Sequence, residues 1–319
     1  MSNNLSVRIG IAILCVLLVL TAIVIIEFWP QNTVRENISL SRSYRLVYTL
    51  ELNSTDPKEI NLNWTGPGNI TNFQTVTLLN YSVSPSWMIT DENNNTIAHF
   101  LVNLPVGQNF NISMTALITI NATQYGNSSS PHQYDTTSAI FKTYTQPEEY
   151  VESDNPLIID MAHNITKNYS DPANASFAIC EWVHNNLNNS GFSTTPHGAL
   201  WALENRTGDC SEHAFLFVAL CRATNIPARF IEGIVTWNIN STSWGNQTWA
   251  NIGHDWAEVY LPSEGWVWID PTSGNYGSND GEHIALQVGQ YCASLDGNYR
   301  YSYTGNVNVT EHFEIYPGE

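Results

Sequence analysis

The chain has 319 residues, a formal net charge of −18 and only three lysines, Lys58, Lys142 and Lys167. A phosphate-binding surface needs clustered Lys and Arg, so nucleic acid is excluded as a partner. The nine histidines are scattered and no Cys-x-x-Cys spacing occurs, so neither a metal nor a cofactor is expected.

Ile9 to Ile26 is an uncharged apolar run of 18 residues, with Arg8 before it and Glu27-Phe28-Trp29-Pro30 after it. That length can cross a hydrocarbon core, and Phe28 and Trp29 suit its interface. The run exceeds a usual signal-peptide core and no small-x-small cleavage pattern follows. An uncleaved transmembrane helix is therefore expected, with residues 1–30 as cytoplasmic tip and anchor. Arg8 on one side and Arg35 and Arg42 on the other do not orient it. Asn-x-Ser/Thr triplets do. Seventeen fall between Asn37 and Asn308, against about six expected from composition. The expectation is a single-pass protein whose bulk lies outside the cell and carries glycans.

Residues 31–146 read as all-β. Phe110, Ile112, Met114, Ala116, Ile118 and Ile120 alternate with Asn111, Ser113, Thr115, Leu117, Thr119 and Asn121, a period of two. Tyr44, Leu46, Tyr48, Leu50 and Leu52 repeat the pattern, and Asp91 to Asn95 reads as a turn. Short strands over this length predict a β-sandwich. A spacer, a binding module and a lid are all compatible with it.

Residues 147–319 read as a second, α+β domain. Asn155-Pro156 and Asp171-Pro172 each place a cap before a proline at the first helical position. The second of these helices carries Phe177, Cys180, Trp182 and Val183. Gly208-Asp209 is a start signal for a third helix, over Ser211 to Thr224, with Ala214, Phe215, Phe217, Val218, Leu220 and Cys221 on it. Cys210 stands where this helix begins. A helix N-terminus lowers a thiol pKa and offers N–H groups to an oxyanion, which makes Cys210 a candidate nucleophile. His213 is one turn away and reads as structural, Glu212 as a solvated or helix-terminal charge. Arg229, opening the strand Phe230 to Trp237, reads as half of a buried ion pair. Asn238 to Asn251 forms a loop whose Trp244 and Trp249 bind substrate or make a local aromatic cluster.

Val259 and Leu261 lead into Pro262-Ser263-Glu264-Gly265, and Trp266 to Ile269 lead out, which predicts a hairpin with a four-residue loop. Counting back along both arms sets His254 across from residues 270–273. A carboxylate beside an imidazole fixes its tautomer and steadies its protonated form, so His254 and Asp270 are candidate base and orienter. Residues 299–316 alternate weakly, as an edge strand would. Of five cysteines, Cys15 lies in the apolar run. Cys180, Cys221 and Cys292 are an odd remainder, with Cys180 and Cys221 either packed in the core or paired.

Thr207-Gly208-Asp209-Cys210, Ala219 to Arg229, His254-Asp255-Trp256-Ala257-Glu258 and Gly265 to Thr272 together resemble the transglutaminase-like family over about residues 150–275. The resemblance implies a papain-like α+β core with Cys210, His254 and Asp270 on the catalytic positions. It also implies acyl transfer through a thioester, to water or to an amine, on a protein or peptide substrate such as a cell-envelope component. The family usually adds an upstream oxyanion donor, for which Trp182 and Trp201 are candidates beside the Cys210 N–H. A single anchor, abundant sequons and such a core resemble an archaeal cell-surface protein. The competing expectation is a non-catalytic adhesin or envelope component using the same fold.

Overall fold

Alternation of apolar and polar residues builds most of the N-terminal half. Along Arg42–Asn53, Tyr44, Leu46, Tyr48, Leu50 and Leu52 are buried, and along Phe110–Ile120 the even-numbered residues from Ile112 to Ile120 are buried. The computed structural model describes residues 41–55, 57–125, 133–237, 239, 244–279, 281–289 and 300–318. The apolar run 9–26 with Cys15, and also Cys292, Asn37, Asn127 and Asn240, lie outside them. Among the described residues no helix is long and apolar enough to cross a membrane.

Two four-stranded antiparallel sheets face each other. One runs in the order Asn308–Pro317, Arg42–Asn53, Phe110–Ile120, Gln74–Tyr81. The other runs Tyr301–Tyr303, Lys58–Gly66, Thr96–Leu104, Trp87–Thr90. Tyr48 joins them, its ring edge-on to Trp64 at 4.9 Å and stacked on Phe313 at 4.3 Å. Burying aromatic faces this large dominates a core's energetics. The C-terminal segment supplies an edge strand, as its alternation predicts, and it pairs with residues 44–53 near the start of the described chain.

A third sheet has the order Asn275–Tyr276, Gly265–Asp270, Gly253–Leu261, Ala228–Val235, His283–Gly289. Its two faces serve two cores. Ala257, Val259, Val267 and Ile269 pack with the helices, while Ile231, Trp256, Trp268 and Ile284 pack with the two β-sheets. The helices Pro156–Thr166 and Pro172–Asn186 start at the predicted caps, where Asn155 and Asp171 accept N–H bonds from Leu157 and Ala173. The helix Cys210–Ala223 is buried on every side from Glu212 to Arg222, as a helix that is apolar all round must be. At roughly 1.5–3 kcal/mol for each fully buried large apolar side chain, its phenylalanines and leucines anchor the start of the helix firmly. The fold is thus mixed α and β around a helix that presents Cys210 at its first position.

Cys180 and Cys221 are both free thiols in the core. The Asn of every sequon in the described residues is exposed or half-buried, and none lies in a core.

Candidate active site

Asp209 caps the helix. Its Oδ1 accepts the Ser211 N–H at 2.9 Å and its Oδ2 the Ser193 N–H at 2.9 Å. Glu212 completes the box, with Oε2 accepting the Asp209 N–H at 2.8 Å and Oε1 the His197 N–H at 2.6 Å. Glu212 is 2% exposed, so the expected solvated charge is instead a buried clamp holding the 193–197 loop against the helix start. Burial, reinforced by the Asp209 charge, pushes its carboxyl up to about 7. A carboxyl raised on folding contributes stability below its unfolded pKa near 4.5, and that contribution is lost as pH rises to about 7. Denaturant melts at fixed pH should therefore show wild type losing stability relative to Glu212→Gln between pH 4.5 and 7, with no further divergence above that. A flat difference would place the charge of Glu212 elsewhere.

Cys210 is partly buried at the first position of the helix. The neighbouring backbone N–H of Asp255 favours its thiolate. Burial, and then the charges of Asp255 and Asp209, nonetheless push the thiol well up. The helix end that was expected to favour a thiolate is outweighed by desolvation and by its own acidic cap.

His254 comes from the adjacent strand. The hairpin pairs Ala257 with Ile269 and Leu261 with Gly265, a register that sets His254 level with Thr272, inside the predicted window. The loop is three residues rather than four, because Gly265, at φ +80°, already opens the second strand. His254 is 9% exposed, and its Nε2 lies 3.3 Å from Asp270 Oδ2. Asp270, 1% exposed, also accepts the Thr272 N–H at 2.9 Å, the Ser273 N–H at 3.3 Å and the Ser273 hydroxyl at 2.5 Å. Against the cost of burial, the His254 bond and charge, with His283 and Ser273, hold its carboxyl well below the usual range. It stays ionised, as an orienting carboxylate must.

Cys210 and His254 line one cavity of about 660 Å³, together with Asp255, Trp249 and the 193–196 loop. A larger cleft of about 930 Å³, lined by Tyr134, Phe141, His163 and Tyr169, contains neither of them nor Asp270. Trp182 sits under the Arg206 guanidinium at 4.6 Å and Trp201 stacks on His197 at 4.0 Å. Neither lines the cavity beside Cys210. Trp249, from the 238–251 loop, does line it and stacks under Arg300 at 3.4 Å. His213 is buried with Nδ1 2.7 Å from the Asp209 carbonyl, and Arg229 forks onto Glu258 at 2.8 and 2.6 Å, both as expected.

One neighbour escaped the sequence reading. His283 opens the strand His283–Gly289, is 2% exposed, and places Nε2 4.0 Å from Asp270 Oδ2. Its ring stands edge-on to Trp237, Trp256 and Trp268 at 4.6, 5.0 and 4.7 Å. The donor atoms of His254, Asp270 and His283 lie within 4.8 Å of one another. Tetrahedral donors about 2 Å from a zinc ion would stand only ~3.3 Å apart, so this group would have to contract to hold one.

Residues 159–271 match the family model of the transglutaminase-like superfamily. That segment is transglutaminase-like. It contains Cys210, His254 and Asp270 and the helix and hairpin that carry them. YebA of Bacillus subtilis, an uncharacterized protein, is 34% identical over 77 residues, which cover 22% of this chain. The chain spans only 10% of the length of that curated relative. A proposed cysteine protease of Cytophaga hutchinsonii, known from its crystal structure, is 18% identical and superposes with a TM-score of 0.66 over 88% of this chain and 92% of its own. The shared fold thus extends beyond the transglutaminase-like segment into the β-sheets.

Proposed function

We propose that the chain performs thiol-dependent acyl transfer on amide bonds, with Cys210 as nucleophile, His254 as base and Asp270 as orienter. The observation that carries this reading is the single cavity lined by Cys210 and His254, with the His254 ring held by an ionised, buried Asp270. His254 takes the proton from the thiol as sulfur attacks the amide carbonyl. N–H groups at the helix start receive the oxyanion, and His254 returns the proton to the leaving amine. Water then opens the thioester. Hydrolysis of peptide or isopeptide bonds is the reading we favour over crosslinking.

The apolar run 9–26 and the surface sequons support an anchored protein with its bulk outside the cell. A further triplet, Asn4-Leu5-Ser6, precedes the run, so the triplets alone do not orient it. Digestion with an endoglycosidase followed by mass spectrometry of intact cells would locate the glycans and fix the topology.

The activity has a direct test. Iodoacetamide or a peptidyl thiol-directed probe should label wild type at Cys210, fail with Cys210→Ala, and slow by about 100-fold or more with His254→Ala. Correctly folded protein that gives no saturable labelling would be the non-catalytic surface component instead.

A further inference from the structure

The cavity beside Cys210 is acidic in an unusual way. Glu232 and Asp255 are direct partners across two antiparallel strands, so their side chains leave the same face of the sheet. Both line the cavity. Like charges set opposite each other in a sheet repel, and a buried carboxylate oxygen without a donor keeps its full desolvation cost. Both penalties are present. Glu232 is 3% exposed, and its Oε1 pairs with Arg300 while its Oε2 has no hydrogen-bond partner among the described residues. Asp255 Oδ1 is likewise buried and without one. Arg300 is committed further, its Nη2 lying 2.8 Å from Glu311 Oε1. Asp209, the remaining acid of the cavity floor, spends both oxygens on the Ser211 and Ser193 N–H groups. The fold has thus placed two carboxyl groups beside the nucleophile, each with an oxygen that has no donor among the described residues.

We propose that this cavity holds a basic side chain of the substrate, an alkyl guanidinium or ammonium seated on Asp255 and the free oxygen of Glu232. The assignment rests on Cys210 being the nucleophile of the reaction above, and it names the substrate class: peptides with Arg or Lys next to the scissile amide. The walls fit the rest of such a side chain. Trp249 and Phe192 line the same cavity, and Trp249 already carries the Arg300 guanidinium carbon 3.4 Å above its ring. Occupancy would also act on the thiol. Burial and the Glu232 charge oppose ionisation of Asp255, and an ionised Asp255 would in turn oppose ionisation of Cys210. A bound cation offsets both, so the correct substrate favours the thiolate that must attack it.

The test separates the subsite from the nucleophile. Full-length Cys210→Ala protein is titrated calorimetrically with argininamide and with citrullinamide, its neutral counterpart of nearly the same shape. The charged ligand should bind about tenfold more tightly, since a partner for a desolvated carboxylate is worth at least that factor. Adding Asp255→Asn should reduce the preference to below ~3-fold. Asp255→Ser serves as a second variant if the first melts early. Equal affinities for the two amides, no binding of either, or a preference untouched by both Asp255 variants would overturn the proposal. Iodoacetamide labelling of the wild type runs in parallel. Charge preference without His254-dependent labelling keeps the cation site and removes the acyl-transfer reading. Labelling without charge preference does the reverse.

Discussion

Asp270→Asn should slow acylation of Cys210 by about 10³-fold while leaving the fold intact. The substitution keeps the shape of the side chain and an oxygen to accept the Thr272 and Ser273 N–H bonds, so the turn after the strand survives. What it removes is the charge opposite His254 Nε2. Without that charge the imidazolium formed on proton transfer loses its partner in a site with little water to replace it, and the tautomer with hydrogen on Nε2 loses its preference. The chromophore released as an activated peptide ester acylates the thiol would report the rate. Circular dichroism melting would report the fold. A fall in rate with an unchanged melting curve assigns Asp270 to chemistry. A rate within threefold of wild type would mean that His254 is oriented by something else, for which His283 and its tryptophan cage are the nearest candidates.

The largest stability effect is expected from the pair Arg229 and Glu258. Arg229 is 7% exposed and Glu258 1%, joined by two hydrogen bonds and roofed by Trp266, whose ring centroid is 4.0 Å from the guanidinium carbon. Two buried ions joined by two hydrogen bonds to one carboxylate oxygen, Oε2 of Glu258, are tolerable together and costly apart. Arg229→Met leaves Glu258 ionised and unpaired in the interior and should cost about 3–5 kcal/mol. Arg229→Met with Glu258→Leu should recover most of that, since neither desolvated charge remains. Equilibrium denaturation of the two variants decides it: equal losses in both would show that packing under Trp266, and not the charge, is what the pair supplies.

Local geometry explains which parts could be read ahead of the structure. The caps at Asn155, Asp171 and Asp209 are set by one residue and the chain beside it, and all three hold. The His254–Asp270 contact follows from counting residues around one hairpin, so a short stretch of sequence contains the answer. The same counting missed the exact loop length, because a glycine at positive φ can serve as either the last loop residue or the first strand residue. His283 was invisible for the opposite reason. Its strand pairs with Ala228–Val235, two strands away from the one bearing Asp270, through a connection that no hairpin rule predicts. Helical periodicity put Trp182 and Trp201 on helices correctly but does not say which neighbour a side chain meets. Glu212 is helix-terminal, one of its two expected readings, and the solvated alternative fails because the loop 193–197 folds over it. The cationic subsite depends on Glu232, Asp255 and Arg300, three residues brought together only when the sheets are assembled.

The returning strand 308–317 has a temporal meaning. Val309, Thr310 and Glu311 line the cavity, and Glu311 grips Arg300. A ribosome that has delivered Cys210, His254 and Asp270 has delivered neither Arg300 nor residues 309–311. During translation the lining of the cavity is therefore incomplete, and the enclosure in which a cation would be recognised closes only after about another forty residues have left the exit tunnel.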